Sequence, residues 1–203
     1  LLVQKFLSVP SDKEASITTC SAIDALLHPD PFPRITFAEA MSYLESKGTK
    51  DLHPSDNPSD KCLSREDEQN LIKWVSRGDI LRPIFLTHFP SSIKPFYCSL
   101  TSHSKDLTES VDLLVPGVGE LVGGSVREMD FTKLKARCPG FKEGTPSENY
   151  TTNLDWYLSL RGLGNAPHAG FGLGFERFLQ FIWSVYNIRD LVPIPREIGK
   201  IYL

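Results

Sequence analysis

A glutamate and an arginine flank a pair of glycines in the segment GELVGGSVRE, residues 119–128. Glu120 lies in an apolar run, where an unpaired carboxylate is costly to bury. We therefore expect it to meet a cation, which is a metal ion, an arginine or the ammonium group of a substrate. Arg127 follows seven positions later, an odd separation that places the two side chains on opposite faces of a regular strand. A bulge or twist at Gly123 and Gly124 would bring them to one face. An internal ion pair between them is the alternative interpretation.

A second candidate site lies in PHAGFGLGFERFLQFI, residues 167–182, where Gly170, Gly172 and Gly174 occur at every second position. Glycines with this period predict a strand that another molecule approaches closely. The apolar residues that follow have helical spacing and predict a helix. Arg177 would then lie in its first turn, where a guanidinium can stack on an aromatic base or neutralise phosphate oxygens. The segment therefore predicts a nucleotide-binding junction; a glycine-rich hairpin with a solvated arginine is the alternative.

Other nucleotide motifs and catalytic groupings do not account for these segments. The sequence contains no GxxxxGK[ST] motif, and the glycines of GFGLGF do not have Rossmann spacing. It offers no convincing Ser-His-Asp grouping and no metal-ligand cluster beyond Glu120. His168 is a weaker candidate for contacting a substrate, because a loop histidine that is satisfied locally is the simpler interpretation.

Composition bounds the class of protein. The chain has 203 residues, of which 40% are hydrophobic and 23% charged, enough for one sizeable core. A net charge of −3 gives no support for a dedicated basic nucleic-acid module. No apolar run approaches about 18 residues, so we expect no membrane span. The cysteines are dispersed without a CxxC motif, which predicts reduced thiols rather than a zinc site or a disulfide framework: Cys20, Cys62, Cys98 and Cys138.

Helices are predicted on both sides of a region of strands. Thr36 with Glu39, and Ser64 with Asp67, form capping boxes that begin helices FAEAMSYLESK and REDEQNLIKWVSR. Further helices are predicted near the N-terminus, at DFTKLKARC, at NLDWYLSLRG (begun by Thr152) and after the glycine strand. The proline-rich segment HPDPFPR between the first elements predicts an extended connection.

The period changes to two after residue 79, which predicts strands. They are expected at 80–89, 94–102, 110–116 and 119–128, followed by the glycine strand. Because these strands are consecutive, short and close together, an antiparallel sheet is the economical arrangement. The fold class that we predict is α+β, with an antiparallel β-sheet flanked by helices.

These residues resemble a known family. GFGLGFER resembles motif 3 of the class II aminoacyl-tRNA synthetases. More narrowly, DLLVPGVGELVGGSVRE, WYLSLRGLGNAPHAGFGLGFERFLQFI and NIRDLVPIPR together resemble the asparaginyl-tRNA synthetase catalytic domain. FPRITFAEAMSYL and RPIFLTHFPSSIKPFYCS agree with it, so the resemblance covers roughly residues 20–198.

The resemblance implies that asparagine is ligated to tRNA(Asn) through asparaginyl-adenylate, with ATP and Mg2+. It implies that Glu120 contacts ATP through Mg2+, and that Arg127, near Gly123, recognises the side chain of the amino acid. It also implies that the motif 3 segment binds ATP, its arginine lying over adenine and near the γ-phosphate: Gly174, Phe175, Glu176 and Arg177.

Aspartyl-tRNA synthetase is the nearest competitor, because it shares these sites. Gly123 favours asparagine, since eukaryotic and archaeal aspartyl enzymes tend to have serine at this position. The segment WYLSLRGLGNAPH also resembles the asparaginyl enzymes. Arg127 does not discriminate, because an arginine donates to an amide oxygen or a carboxylate alike.

Motif 1, motif 2 and the OB-type anticodon-binding domain of the family are not recognised in the sequence. We therefore expect residues 1–203 to be the C-terminal portion of a catalytic domain within a longer protein, which forms a homodimer, and to be inactive alone. The alternatives are a non-catalytic, synthetase-like interaction module and a paralogue that amidates aspartate. We expect a cytoplasmic protein, with the mitochondrion or another organelle as the alternative.

Overall fold

The computed structural model of the chain describes residues 24–48, 63–76, 80–138 and 154–194. The first helix predicted near the N-terminus lies outside the described residues, as does Thr152. So do most residues of the polar segments 48–62 and 138–150, which the sequence predicts as loops. Within the described ranges, every helix is too short or too polar to cross a bilayer.

Among the described residues, five strands form one sheet, in which the order in space follows the order in the chain. They are β1 (Arg34–Thr36), β2 (Ile84–Thr87), β3 (Ser110–Val115), β4 (Gly119–Val126) and β5 (Ala169–Leu173). The pairs β2–β3, β3–β4 and β4–β5 are antiparallel, as predicted. The α+β class is therefore confirmed.

The sheet is mixed rather than wholly antiparallel, because β1 pairs with β2 in parallel. β1 lies at the end of the segment predicted as an extended connection. Pro33 accepts a hydrogen bond from the backbone N–H of Phe85 at 2.8 Å, so the extended backbone finds a partner in β2. A proline is tolerated here because the strand is short and lies at the edge of the sheet.

The prediction of a strand at 94–102 is wrong. The segment contains turns and only two isolated bridges, from Cys98 to Arg127 and from Leu100 to Thr108. The N–H of Cys98 donates to the carbonyl oxygen of Pro95 at 3.0 Å, which closes a turn in place of a ladder. The strand predicted at 80–89 is also shorter than expected. β2 ends at Thr87, because His88, the next residue, has a φ of 57°, outside the range of a regular strand.

In the described ranges, the helices that accompany the sheet are α1 (Phe37–Ser46), α2 (Arg65–Ser76), α3 (Phe131–Arg137), α4 (Asp155–Gly162) and α5 (Phe175–Trp183). Residues 24–27 are also helical, and Ile188–Leu191 form a 3-10 turn. Both predicted capping boxes are confirmed. The N–H of Glu39 donates to the hydroxyl of Thr36 at 3.2 Å, and the Glu39 carboxylate accepts from the Thr36 N–H at 2.7 Å. Ser64 and Asp67 make the same reciprocal pair at 3.1 and 3.0 Å.

The two faces of the sheet are covered differently. Helices α1 and α2 pack over the front face of β2 and β3, where buried side chains from both layers form the largest core cluster: Phe37, Ala40, Leu44, Leu71, Ile72, Ile84, Leu86, Phe89 and Leu114. Helix α5 packs on the back face, where Phe181 joins Val115, Val118 and Leu121. The front face over β4 and β5 is left open in the described part of the chain, and the candidate residues lie there.

Candidate functional site

A β-bulge determines which face of β4 the Glu120 side chain occupies. The register pairs Leu114 with Glu120 and Leu113 with Val122, so Leu121 is an extra residue on β4. Leu114 faces the front core, and Glu120 is therefore on the front face as well. The predicted irregularity in this strand is confirmed, although it lies at Leu121 rather than at the paired glycines.

Arg127 reaches the same face. Gly170 pairs with Ser125, and a Cβ added to Gly170 would lie 2.7 Å from Nη2 of Arg127. The guanidinium also lies 4.6 Å from the centroid of the Tyr97 ring. Glycine at 170 therefore makes room for the Arg127 head group, which a tyrosine ring supports from another side. In the described part of the chain, the ion-pair partner of Glu120 is not Arg127.

The strand–helix junction is joined to the bulge by hydrogen bonds. Gly174, the N-cap of α5, donates its N–H to the carbonyl oxygen of Leu121 at 3.1 Å. Arg177 donates from Nη1 to the carbonyl oxygen of Glu120 at 2.5 Å, and the same nitrogen lies 4.0 Å from the Glu120 carboxylate. Phe175 is 62% exposed, and Glu176 is exposed in the same turn. The structure thus brings the two candidate segments together through Glu120 and Arg177.

Gly123 creates space for two carboxylates. A Cβ added to Gly123 would lie 2.8 Å from Oε1 of Glu120 and 3.4 Å from Oδ1 of Asp112. Asp112 pairs with Gly123 in the ladder and is buried. Lys94 donates to both of its carboxylate oxygens, at 2.7 and 2.6 Å. Burial raises the pKa of Asp112, and the charge of Lys94 and its hydrogen bond act against that rise.

Sequence reasoning missed Asp112 and Lys94. Asp112 is a charged residue in the otherwise apolar strand SVDLLV, the same signal that singled out Glu120. Lys94 carried no such signal, because it begins a segment whose sequence predicts a regular strand.

Glu68 was also missed. Its Oε2 accepts a hydrogen bond from the backbone N–H of Glu120 at 3.1 Å. Burial, with smaller contributions from the nearby charges of Glu120 and Asp112, raises the pKa of Glu68 to about 7. The hydrogen bond from the Glu120 N–H and the charge of Arg177 act against this rise. In sequence it is one of several acidic residues in the first turn of α2, and nothing there indicates a contact 52 positions away.

The open front face therefore collects charges of both signs: Glu68, Asp112 and Glu120 with Lys94, Arg127 and Arg177. The cations suit phosphate and carboxylate oxygens, and the half-exposed Glu120 carboxylate suits a cation. Among the described residues, no group of three His, Cys, Asp or Glu side chains could hold a metal ion by itself. A metal ion at Glu120 would therefore need oxygen ligands from a bound molecule.

A separate cavity of about 540 Å³ lies away from these charges, towards the back face of β2 to β5. Thr87, Val111, Val126 and Phe171 contribute to its mostly apolar lining. None of Glu120, Arg127 and Arg177 lines it. Because binding of phosphate oxygens, carboxylates and cations needs the charged groups, we assign the candidate site to the front face.

Comparisons with known proteins agree with the resemblance. A family model described as tRNA synthetases class II (D, K and N) matches residues 3–198. The asparagine–tRNA ligase of Xanthomonas campestris pv. campestris (strain 8004) is 37% identical over 195 residues, which are 96% of this chain and 38% of the relative. The chain thus spans little more than a third of that relative's length.

Solved structures show the same fold. The asparaginyl-tRNA synthetase of Entamoeba histolytica, in complex with asparaginyl-adenylate, matches with a TM-score of 0.67 and 34% identity, over 84% of this chain and 37% of that one. The aspartyl tRNA synthetase of the same organism has an equal TM-score of 0.67 but 27% identity, over 84% of this chain and 33% of that one. The fold is therefore common to both specificities, and sequence identity is higher with the asparaginyl enzyme.

Proposed function

Because the chain belongs to the class II tRNA synthetases of the aspartate, lysine and asparagine group, we propose that it forms part of an enzyme that ligates asparagine to tRNA(Asn). ATP is the energy source, and asparaginyl-adenylate is the intermediate. The observation that carries the proposal is the joining of Glu120 and Arg177 on the open front face, within a chain 37% identical to an asparagine–tRNA ligase.

The reaction needs positioning and charge neutralisation rather than a protein nucleophile. The carboxylate of asparagine attacks the α-phosphorus of ATP, and pyrophosphate leaves. The tRNA hydroxyl then attacks the carbonyl carbon of the adenylate, and AMP leaves. Catalysis of both steps depends on aligned reactants and on cations near the phosphate oxygens.

Arg177 is the residue that we propose binds ATP from the motif 3 side. Its Nη1 donates to the carbonyl oxygen of Glu120, which anchors one end of the guanidinium. The side chain remains 49% exposed, so its remaining N–H groups and its flat face are accessible to phosphate and adenine. A Cβ added to Gly174 would lie 3.4 Å from the stem of Arg177, and Phe175 and Glu176 complete the turn.

Glu120, with Asp112 beside it, is the pair that we propose would hold Mg2+ together with phosphate oxygens of ATP. The donor set fits, because Mg2+ in nucleotide sites takes one or two carboxylates and completes its shell with phosphate and water. When bound, the ion neutralises phosphate charge. Lys94 meanwhile balances the charge of Asp112.

Arg127 is the residue that we propose recognises the asparagine side chain. Its head group lies against Gly170 and Tyr97, so its donors point in a restricted direction. A guanidinium can donate to the amide oxygen of asparagine. Gly123 keeps the neighbouring wall free of a side chain, and we include it in the substrate site.

Aspartate is the alternative substrate, and the aspartyl enzyme that matches the fold keeps this possibility open. The test is ATP–pyrophosphate exchange by the full-length protein that contains this chain. We expect exchange that depends on asparagine. Exchange with aspartate but not asparagine would overturn the assignment of substrate, and no exchange with either would favour a non-catalytic, synthetase-like module.

The remaining partners also belong to the whole protein, of which this chain spans only a part. We propose tRNA(Asn) as the acceptor, a homodimer as the assembly and the cytoplasm as the compartment. Cys98, a buried thiol outside any disulfide, is compatible with a reducing compartment.

A further inference from the structure

The first turns of α2 hold the turn between β3 and β4. Arg65 donates from Nη2 to the carbonyl oxygen of Gly117 at 2.6 Å, and the Gly117 N–H donates to Oε1 of Gln69 at 2.7 Å. The Nε2 of Gln69 donates to the carbonyl oxygen of Val115 at 3.3 Å. These contacts join segments about 50 residues apart in the chain, so the helix determines where the turn lies.

Glu68 makes the contact nearest to the site. It accepts from the N–H of Glu120, and Gly119 lies directly against it. Gly119 has a φ of 96°, and a Cβ there would lie 2.1 Å from Oε2 of Glu68. Both the backbone conformation and the space therefore require glycine at this position.

The backbone of Glu120 is consequently held at both of its polar groups. Its N–H donates to Glu68 of α2, and its carbonyl oxygen accepts from Arg177 of α5. β4 pairs with β3 through Gly119 and Glu120, but its ladder with β5 begins only at Val122, after the bulge at Leu121. The β5 ladder therefore does not reach the polar groups of Glu120. Side-chain contacts from two helices replace it.

We infer that Glu68 is a positioning residue, which holds the backbone N–H of Glu120 so that the Glu120 carboxylate points along the front face. The catalytic consequence rests on the proposed function. Without Glu68, the Glu120 carboxylate would adopt less often the orientation in which it binds Mg·ATP. The structural consequence, the protection of the Glu120 N–H, is independent of any activity.

Three variants of the full-length protein test the inference. Glu68→Leu removes the acceptor, whereas Glu68→Gln keeps an acceptor oxygen and the length of the side chain. Glu66→Leu is the matched control, because Glu66 lies in the same turn of α2 and is exposed.

The first measurement is hydrogen exchange of the segment 117–122. We expect Glu68→Leu to speed exchange in this segment, while Glu68→Gln and Glu66→Leu leave it close to wild type. The second is equilibrium binding of ATP with and without Mg2+. We expect Glu68→Leu to reduce about tenfold the gain in ATP affinity that Mg2+ produces, as for one hydrogen bond to a charged group. Glu68→Gln should retain most of this gain.

The inference is overturned if Glu68→Leu leaves both measurements unchanged, or if Glu68→Gln loses as much ATP affinity as Glu68→Leu. If Glu68→Leu does not fold, Glu68→Gln with wild-type exchange and ATP affinity supports the inference, and loss of either overturns it. Failure of the proposed function has a different signature, since wild-type protein would then show no asparagine-dependent pyrophosphate exchange whatever the hydrogen exchange shows.

Discussion

Arg177 and Glu120 meet through the backbone as well as through their charges. The guanidinium donates to the Glu120 carbonyl oxygen at 2.5 Å, and its Nη1 lies 4.0 Å from the Glu120 carboxylate. One arginine therefore both stabilises the bulged strand and carries the free N–H groups that a nucleotide would meet. Loss of Arg177 should accordingly affect nucleotide binding more than its exposure suggests.

Arg177→Ala in the full-length protein should weaken the use of ATP by about 2 kcal/mol or more, the scale of a lost charge-assisted contact. This corresponds to a decrease of about 30-fold in kcat/KM for ATP in pyrophosphate exchange. Lys105→Ala removes an exposed cation far along the chain and is the control. Undiminished formation of adenylate by Arg177→Ala would contradict the role.

Gly123→Ala should impair the site without unfolding the protein. The added Cβ would lie 2.8 Å from Oε1 of Glu120, and the carboxylate must move to admit it. We expect a decrease of about tenfold or more in kcat/KM for amino-acid activation, the effect of losing about 1.4 kcal/mol. Gly162→Ala is the matched control, because a Cβ there would meet nothing within 4 Å. Equal activities of the two variants would refute the prediction.

Glu39→Gln should lower the thermal unfolding midpoint at pH 7 but have less effect in acid. The backbone N–H and the hydroxyl of Thr36 lower the pKa of Glu39 from 4.5. A carboxylate with a lowered folded-state pKa contributes stability above the unfolded pKa, and this is lost as pH falls through the folded value. The difference between wild type and variant should therefore shrink below about pH 4.5.

Glu45→Gln is the control for this pH dependence, since Glu45 is exposed in the same helix and has no capping role. A difference between wild type and Glu39→Gln that is as large at pH 3 as at pH 7 would mean that the charge of Glu39 does not contribute.

Leu71→Ala should destabilise the protein by about 2–5 kcal/mol, because the side chain is fully buried between α2 and the sheet. Leu163→Ala is the control at a position that is 86% exposed. Urea titration of the full-length protein, followed by a probe in this region, measures the difference. A change below about 0.5 kcal/mol for Leu71→Ala, the range of ordinary surface substitutions, would show that this core does not form as described.

Local patterns predicted the starts of α1 and α2 and most strands of the described residues. The capping boxes at Thr36 and Ser64 are formed by residues three positions apart, so the sequence contains both partners. The bulge in β4 was also predictable in kind, because the odd spacing of Glu120 and Arg127 required an irregularity if both were to serve one site. Its position at Leu121 was not, since the register with β3 decides it.

The contacts that complete the site could not be predicted in the same way. Glu68 reaches Glu120 across 52 positions, and Lys94 reaches Asp112 across 18. Each depends on how the elements pack rather than on a local pattern. The segment 94–102 shows the opposite failure. The apolar and aromatic residues after Pro95 predict a strand, whereas the N–H of Cys98 closes a turn on the carbonyl oxygen of Pro95.

Strand β5 has a consequence for how the isolated chain behaves in solution. Within the described residues it pairs only with β4, which leaves the other edge with unpaired backbone groups. Phe171 is 74% exposed and Leu173 45% exposed on the same strand. An exposed apolar edge of this kind can pair with a strand of another molecule. Chains expressed without a segment that covers β5 should therefore associate edge to edge as their concentration rises.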